Sequence, residues 1–155
     1  MNIKQQFSPH YLTLPPEKTK EMVERVYSLL ENKDLETLFR GSCCYQWALR
    51  INRCRLPKAS VILATYLSPG AKQTHAYLQL DDGRCVDVCK VFETESELWE
   101  HWVKPKAACQ TELLSPEWLE EEISRRLPQR LNVAVMRTAL KHFDSDAIFK
   151  EVRNA

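Results

Sequence analysis

Six cysteines in 155 residues, Cys43, Cys44, Cys54, Cys85, Cys89 and Cys109, put thiol chemistry first among the reactions open to this chain. Two of them are adjacent, in the segment Gly41-Ser42-Cys43-Cys44-Tyr45-Gln46-Trp47-Ala48-Leu49, where a helix should begin. A cysteine at a helix start has its thiolate favoured by the unpaired first-turn amides and by the helix dipole. The same amides can receive the oxyanion that develops when a thiolate attacks a carbonyl. Such a nucleophile needs a base, and the base needs a group that orients it. His75, followed by Ala76-Tyr77, and Asp87, preceded by Val86, are the residues that can fill those roles.

The elements that must bring them together are legible in part. Residues 74–80 and 84–90 read as two strands joined by Asp81-Asp82-Gly83. Ala76, Leu78 and Leu80 alternate with His75, Tyr77 and Gln79 on the first strand, and Val86 and Val88 with Cys85, Asp87 and Cys89 on the second. A two-residue Asp82-Gly83 turn would mix apolar and polar residues on both faces. A three-residue loop with Gly83 in the left-handed region shifts the register by one, setting Val86 opposite Leu78 and Val88 opposite Ala76. One face is then uniformly apolar. Asp87 falls opposite Tyr77, on the face of His75 and diagonal to it.

The cysteine helix should span residues 43–52 and close before Pro57. Ala48 and Ile51 share a face with Cys44 at i+4 and i+7, a surface small enough to pack on a sheet beside His75. The corresponding partners of Cys43 are Trp47 and Arg50. Helix geometry therefore favours Cys44 as the nucleophile, with Cys43 the alternative.

Around this centre the pattern predicts helices over 16–30 and 35–39 and a β region over 59–90 that begins with a strand at 59–67. The final third, 95–149, reads as helices over 95–103, 116–127 and 131–149. No repeat, low-complexity tract or long linker divides residues 1–155, so the reading is one α+β domain in which N-terminal helices pack on a small antiparallel sheet.

Composition narrows the function. Lys plus Arg total 22 against 21 Asp plus Glu, a net charge of +1, which offers no electrostatic case for nucleic acid or an acidic membrane. Three glycines argue against a glycine-rich phosphate loop. The longest uncharged apolar run, residues 59–67, is too short to span a bilayer, and MNIKQQFSPHYL lacks the apolar stretch of a secretory signal. The expectation is a cytoplasmic protein with reduced thiols.

Cysteine at a helix start, His-Ala-aromatic on a strand and Val-Asp on the next strand resemble the papain-like cysteine hydrolase superfamily, and most closely its transglutaminase-like branch. Cys44 meets that branch's spacing to a helical alanine at Ala48, Gly41-Ser42-Cys43 meets its Gly-x-Cys spacing, and His75-Ala76-Tyr77-Leu78-Gln79-Leu80 with Val86-Asp87 is similar to its second motif. Tyr77 stands where Trp is usual, Gln79 replaces an acidic residue, and no glutamine lies a few residues before Cys44 as in papain. The resemblance covers about residues 41–89. It implies a papain-like core and cysteine-dependent chemistry on an amide of a protein or peptide: hydrolysis, glutamine deamidation or transamidation. Cys44, His75 and Asp87 are then the catalytic residues, Tyr45, Tyr77 and Gln79 substrate-site neighbours, and no metal or organic cofactor is required. An effector or toxin role, with export by a dedicated secretion machine, follows by analogy only.

Other readings compete. Cys85-x3-Cys89 with His75, Cys43, Cys44 or Cys54 could supply zinc ligands, although Cys85 and Cys89 would lie about 13 Å apart on a straight strand. A non-catalytic interaction module could keep the fold and bury Cys44, where an enzyme would expose it in a cleft. Trp99 and Trp102 read as core residues and His101 as a surface residue. Glu120, Glu121 and Glu122 read as paired with Arg125 and Arg126 on a solvated face. Val133, Met136, Leu140 and Phe143 read as one apolar stripe, and His10 and His142 have no assigned partner.

Overall fold

The computed structural model describes residues 16–32, 34–41, 43–68, 71–102 and 108–153. Three helices lead: α1 (Pro16–Glu31), α2 (Leu35–Arg40) and α3 (Cys44–Cys54). Strands β1 (Ser60–Ser68), β2 (Ala71–Gln79), β3 (Cys85–Val86) and β4 (Val91–Phe92) follow, then α4 (Glu95–Trp102), β5 (Ala108–Leu114), α5 (Pro116–Arg126), α6 (Gln129–Ser145) and a 3-10 turn (Ala147–Phe149). The architecture is mixed α+β, with an antiparallel five-stranded sheet in the order β4-β3-β2-β1-β5. His10 lies outside the described residues.

The hairpin register is the one the alternation predicts. Leu78 pairs with Val86, and Gly83 adopts φ 91°, the left-handed conformation the three-residue loop requires. Strand β3, however, ends at Val86 rather than at residue 90. The Asp87 carboxylate takes over from the ladder: Oδ1 accepts the backbone N–H groups of Cys89 (2.8 Å) and Lys90 (3.3 Å) and folds the chain into a tight turn.

A second correction concerns residues 108–114, expected within a helical third. They form β5, which pairs with β1 from Val61↔Leu114 to Leu67↔Ala108. Seven residues is an ordinary strand length, but ACQTELL has one β-branched residue and no aromatic. Its local signal is therefore weak, and the free edge of β1 supplies the partner.

Both sheet faces are covered. Val61, Leu63, Ala76, Leu78 and Val86 join a core with Ala48 and Ile51 of α3 and the buried side chains of α5 and α6. Ile62, Ala64, Tyr66, Tyr77, Cys85 and Phe92 form a smaller cluster with Leu98, Trp99 and Trp102 of α4. The buried line of α6 is Leu131, Val135, Ala139 and Phe143, leaving Val133, expected in the stripe, 42% exposed. His142 contacts the Phe39 ring. On α5, Glu122 and Arg126 are buried, not solvated, and Glu120 pairs across to Arg53 of α3 at 3.1 Å. Among the described residues no helix is long and apolar enough to cross a membrane.

Candidate active site

Helix α3 begins at Cys44, with Cys43 in the N-cap position making no side-chain hydrogen bond to the first turn. Its first-turn amides, which have no partners within the helix, therefore lack the side-chain cap that usually satisfies one of them. Cys43 is fully buried, and burial together with the neighbouring Cys44 pushes its thiol up to about 12. Cys44 differs. Burial raises its thiol, but a hydrogen bond and charge from His75, the Ala76 N–H and the charge of Arg126 outweigh burial and bring it below the ordinary value.

The early end of β3 explains how a helix residue reaches His75. Leu80 N–H donates to Arg84 O, so alternate residues of β2, Leu78 and then Ala76, turn their N–H groups toward β3. With β3 finished at Val86, the Ala76 N–H has no strand partner there and instead helps hold the Cys44 thiol down. Ala76 faces the α3 side of the sheet and His75 the α4 side.

His75 Nε2 lies 3.2 Å from Asp87 Oδ2, and both residues are buried. Nδ1 makes no hydrogen bond among the described residues, so with Nε2 turned to Asp87 it is the ring nitrogen left to serve the Cys44 thiol. Burial opposes charge on the imidazole, but Asp87 and Cys44 outweigh it and raise His75 to about 9. Burial likewise raises the Asp87 carboxyl, while His75, the Trp102 indole and the Cys89 N–H bring it below its ordinary value. A thiol lowered, an imidazole raised and a carboxylate held ionised favour charge separation along Cys44–His75–Asp87. Such an arrangement can deliver a thiolate to a carbonyl and a proton to a leaving group.

No family model, curated protein or solved structure matches the chain.

The structure therefore places Cys44 beside the His75–Asp87 pair and leaves Cys43 at the helix N-cap as a buried thiol with a raised pKa. The expected substrate-site neighbours are placed otherwise. The Tyr45 ring lies under the Arg126 guanidinium at 4.2 Å, Tyr77 is fully buried with its hydroxyl donating to Glu95, and Gln79 is paired within the sheet. Cys85 is buried near Gly83 O and the Cys89 thiol faces Glu36, so the zinc reading loses its ligands. Among the described residues no cluster of three or more His, Cys, Asp or Glu is placed to hold a metal ion.

Sequence reasoning missed Trp102. Its Nε1–H donates to Asp87 Oδ2 at 2.7 Å, and its ring lies 4.1 Å from the His75 ring. The only hint was the aromatic spacing of α4, which reads equally well as core packing. Trp99 does pack in that cluster, and His101 is exposed.

Proposed function

We propose that this chain is a cysteine-dependent enzyme acting on an amide of a protein or peptide, built on a papain-like core closest to the transglutaminase-like branch. The observation that carries the reading is the buried His75–Asp87 pair at 3.2 Å, with the Cys44 thiol lowered and the imidazole raised by each other's presence. Cys44 Sγ attacks the carbonyl carbon, and the Cys44 N–H at the helix start supports the oxyanion. The tetrahedral adduct collapses as His75 gives its proton to the departing nitrogen, leaving a thioester. Water or an amine then attacks the thioester, His75 takes up the proton released, and the thiolate leaves. Water completes hydrolysis or deamidation, and an amine completes transamidation. Asp87 holds the imidazole orientation and supports its positive charge.

The test is alkylation with limiting iodoacetamide at pH 6, read by peptide mass spectrometry. An ordinary thiol with pKa near 8.5 is mostly protonated there. Cys44 alone should react fast, and His75→Ala should lose that reactivity. Equal slowness at all cysteines would overturn the proposal.

The second reading, a non-catalytic interaction module, is favoured by one observation: Cys44 is only 5% exposed. A module predicts a Cys44 inert to small alkylating reagents in the folded protein, which the same measurement reads.

A further inference from the structure

Arg40 ends α2 and lies four residues before Cys44. Its guanidinium carbon is 4.6 Å from the centre of the Trp102 ring, and that ring is 4.1 Å from the His75 imidazole. Trp102 therefore touches an exposed cation and a buried base at once. The Arg40 side chain is 43% exposed, and its ion pair among the described residues is a 3.6 Å contact with Glu36, one turn earlier on the same helix. A solvent-exposed i,i+4 pair of that kind is weak and does not commit the guanidinium.

Two cations and two carboxylates lie in this region, and one of the carboxylates, Asp87, is already satisfied by His75, Trp102 and two backbone N–H groups. Lys90 is exposed at the end of the turn that Asp87 organises, with Nζ 5.0 Å from the Phe92 ring centre. Glu36 opposes Arg40, and its Oε1 lies 3.7 Å from the Cys89 sulfur. A guanidinium laid on an aromatic ring keeps its N–H donors at the edge of its plane, in the fork that matches a carboxylate.

We infer that Arg40 sets the substrate class: the amide processed at Cys44 carries a neighbouring carboxylate, which the guanidinium edge of Arg40 receives over Trp102. This rests on Cys44 being the nucleophile, so the test separates the two claims. Cys44 alkylation rates are measured with iodoacetamide, which is neutral, and with iodoacetate, which carries the carboxylate. Failure of Cys44 to react with iodoacetamide would sink the proposed chemistry itself. Given that reactivity, Arg40→Gln should lower the iodoacetate-to-iodoacetamide rate ratio about fivefold, the effect of withdrawing one partly screened cation from the bound carboxylate. Arg40→Lys should keep most of the ratio, and Glu36→Gln, which removes the opposing charge at an exposed position, should raise it.

An unchanged ratio in Arg40→Gln overturns the inference, as does a loss in Arg40→Lys equal to that in Arg40→Gln, which would mean packing on Trp102 and not charge. If Arg40→Gln fails to fold, Glu36→Gln decides alone, and a ratio that does not rise counts against it. The source of the carboxylate is read with iodoacetyl-glutamate amide and iodoacetyl-glutamine, which carry it on the side chain and at the chain end, against neutral iodoacetyl-glutamine amide. Equal rates for all three overturn the inference. A preference for either acid assigns the side chain or the terminus.

Discussion

The Trp102 indole donates its hydrogen bond to the same oxygen, Asp87 Oδ2, that faces His75 Nε2, at 2.7 Å against 3.2 Å. The other oxygen is occupied by the N–H groups of Cys89 and Lys90. Asp87 therefore organises a turn, an indole and an imidazole with one buried carboxylate, and its ionisation is stabilised from three directions. A buried carboxylate is tolerated only when it is hydrogen-bonded in this way.

Trp102→Phe keeps an aromatic ring over His75 and removes the donor. Loss of one hydrogen bond to a buried charged group should cost about 1.5–3 kcal/mol in urea unfolding. The Asp87 carboxyl should rise, since the indole is one of the groups holding it down. A variant as stable as the wild type at neutral pH would show that the contact contributes nothing.

Asp87→Asn tests the electrostatics of the imidazole. His75 is raised to about 9 when folded from 6.5, so its stabilising contribution is complete below pH 6.5 and is lost as pH rises through about 9. Asp87 is lowered from 3.8, so its contribution is complete above that value and is lost as pH falls through the folded value. The wild type's stability advantage over Asp87→Asn should be largest between pH 3.8 and 6.5 and shrink toward pH 9. In ring NMR titrations the His75 midpoint should move down in the variant. A midpoint left in place would remove Asp87 from the assignment.

Arg126, buried over Tyr45, lowers both Cys43 and Cys44 through its charge. Arg126→Gln should raise the Cys44 thiol and reduce its alkylation at pH 6 about threefold, the effect of removing one nearby buried cation. Arg126→Lys should recover part of that loss by retaining the charge. Identical rates in both variants and the wild type would leave Arg126 a packing residue only.

Asn52 is the buried clasp between the cysteine helix and the sheet, donating to Leu56 O at 3.0 Å and Ala59 O at 2.8 Å. Asn52→Ala leaves both carbonyls without that donor and should destabilise by about 1–3 kcal/mol. Because it acts at the far end of α3, the folded variant should still alkylate preferentially at Cys44. Scrambled cysteine selectivity would show instead that the helix end controls the nucleophile.

Much of the site was legible because it depends on short-range rules. The alternation in residues 74–90, with one glycine free to adopt positive φ, selected a single register, and that register set Asp87 near His75. The small face Cys44-Ala48-Ile51 likewise marked which thiol turns to the sheet, and Ala48 and Ile51 are fully buried there. These features follow from side-chain periodicity along one element and its immediate neighbour.

What only the tertiary structure decided lies in contacts between distant segments. β5 exists because β1 offers an edge 53 residues earlier at Val61↔Leu114, not because residues 108–114 declare themselves a strand. The same holds for Trp102 on Asp87, Arg40 on Trp102 and Arg126 beside the thiols, each brought in by packing of a helix whose local pattern reads only as apolar or charged. Burial of Cys44 was equally unreadable, since it depends on every element that covers the helix start. Local periodicity records which way a side chain points. Which partner it meets is fixed only when the whole chain has collapsed around one core.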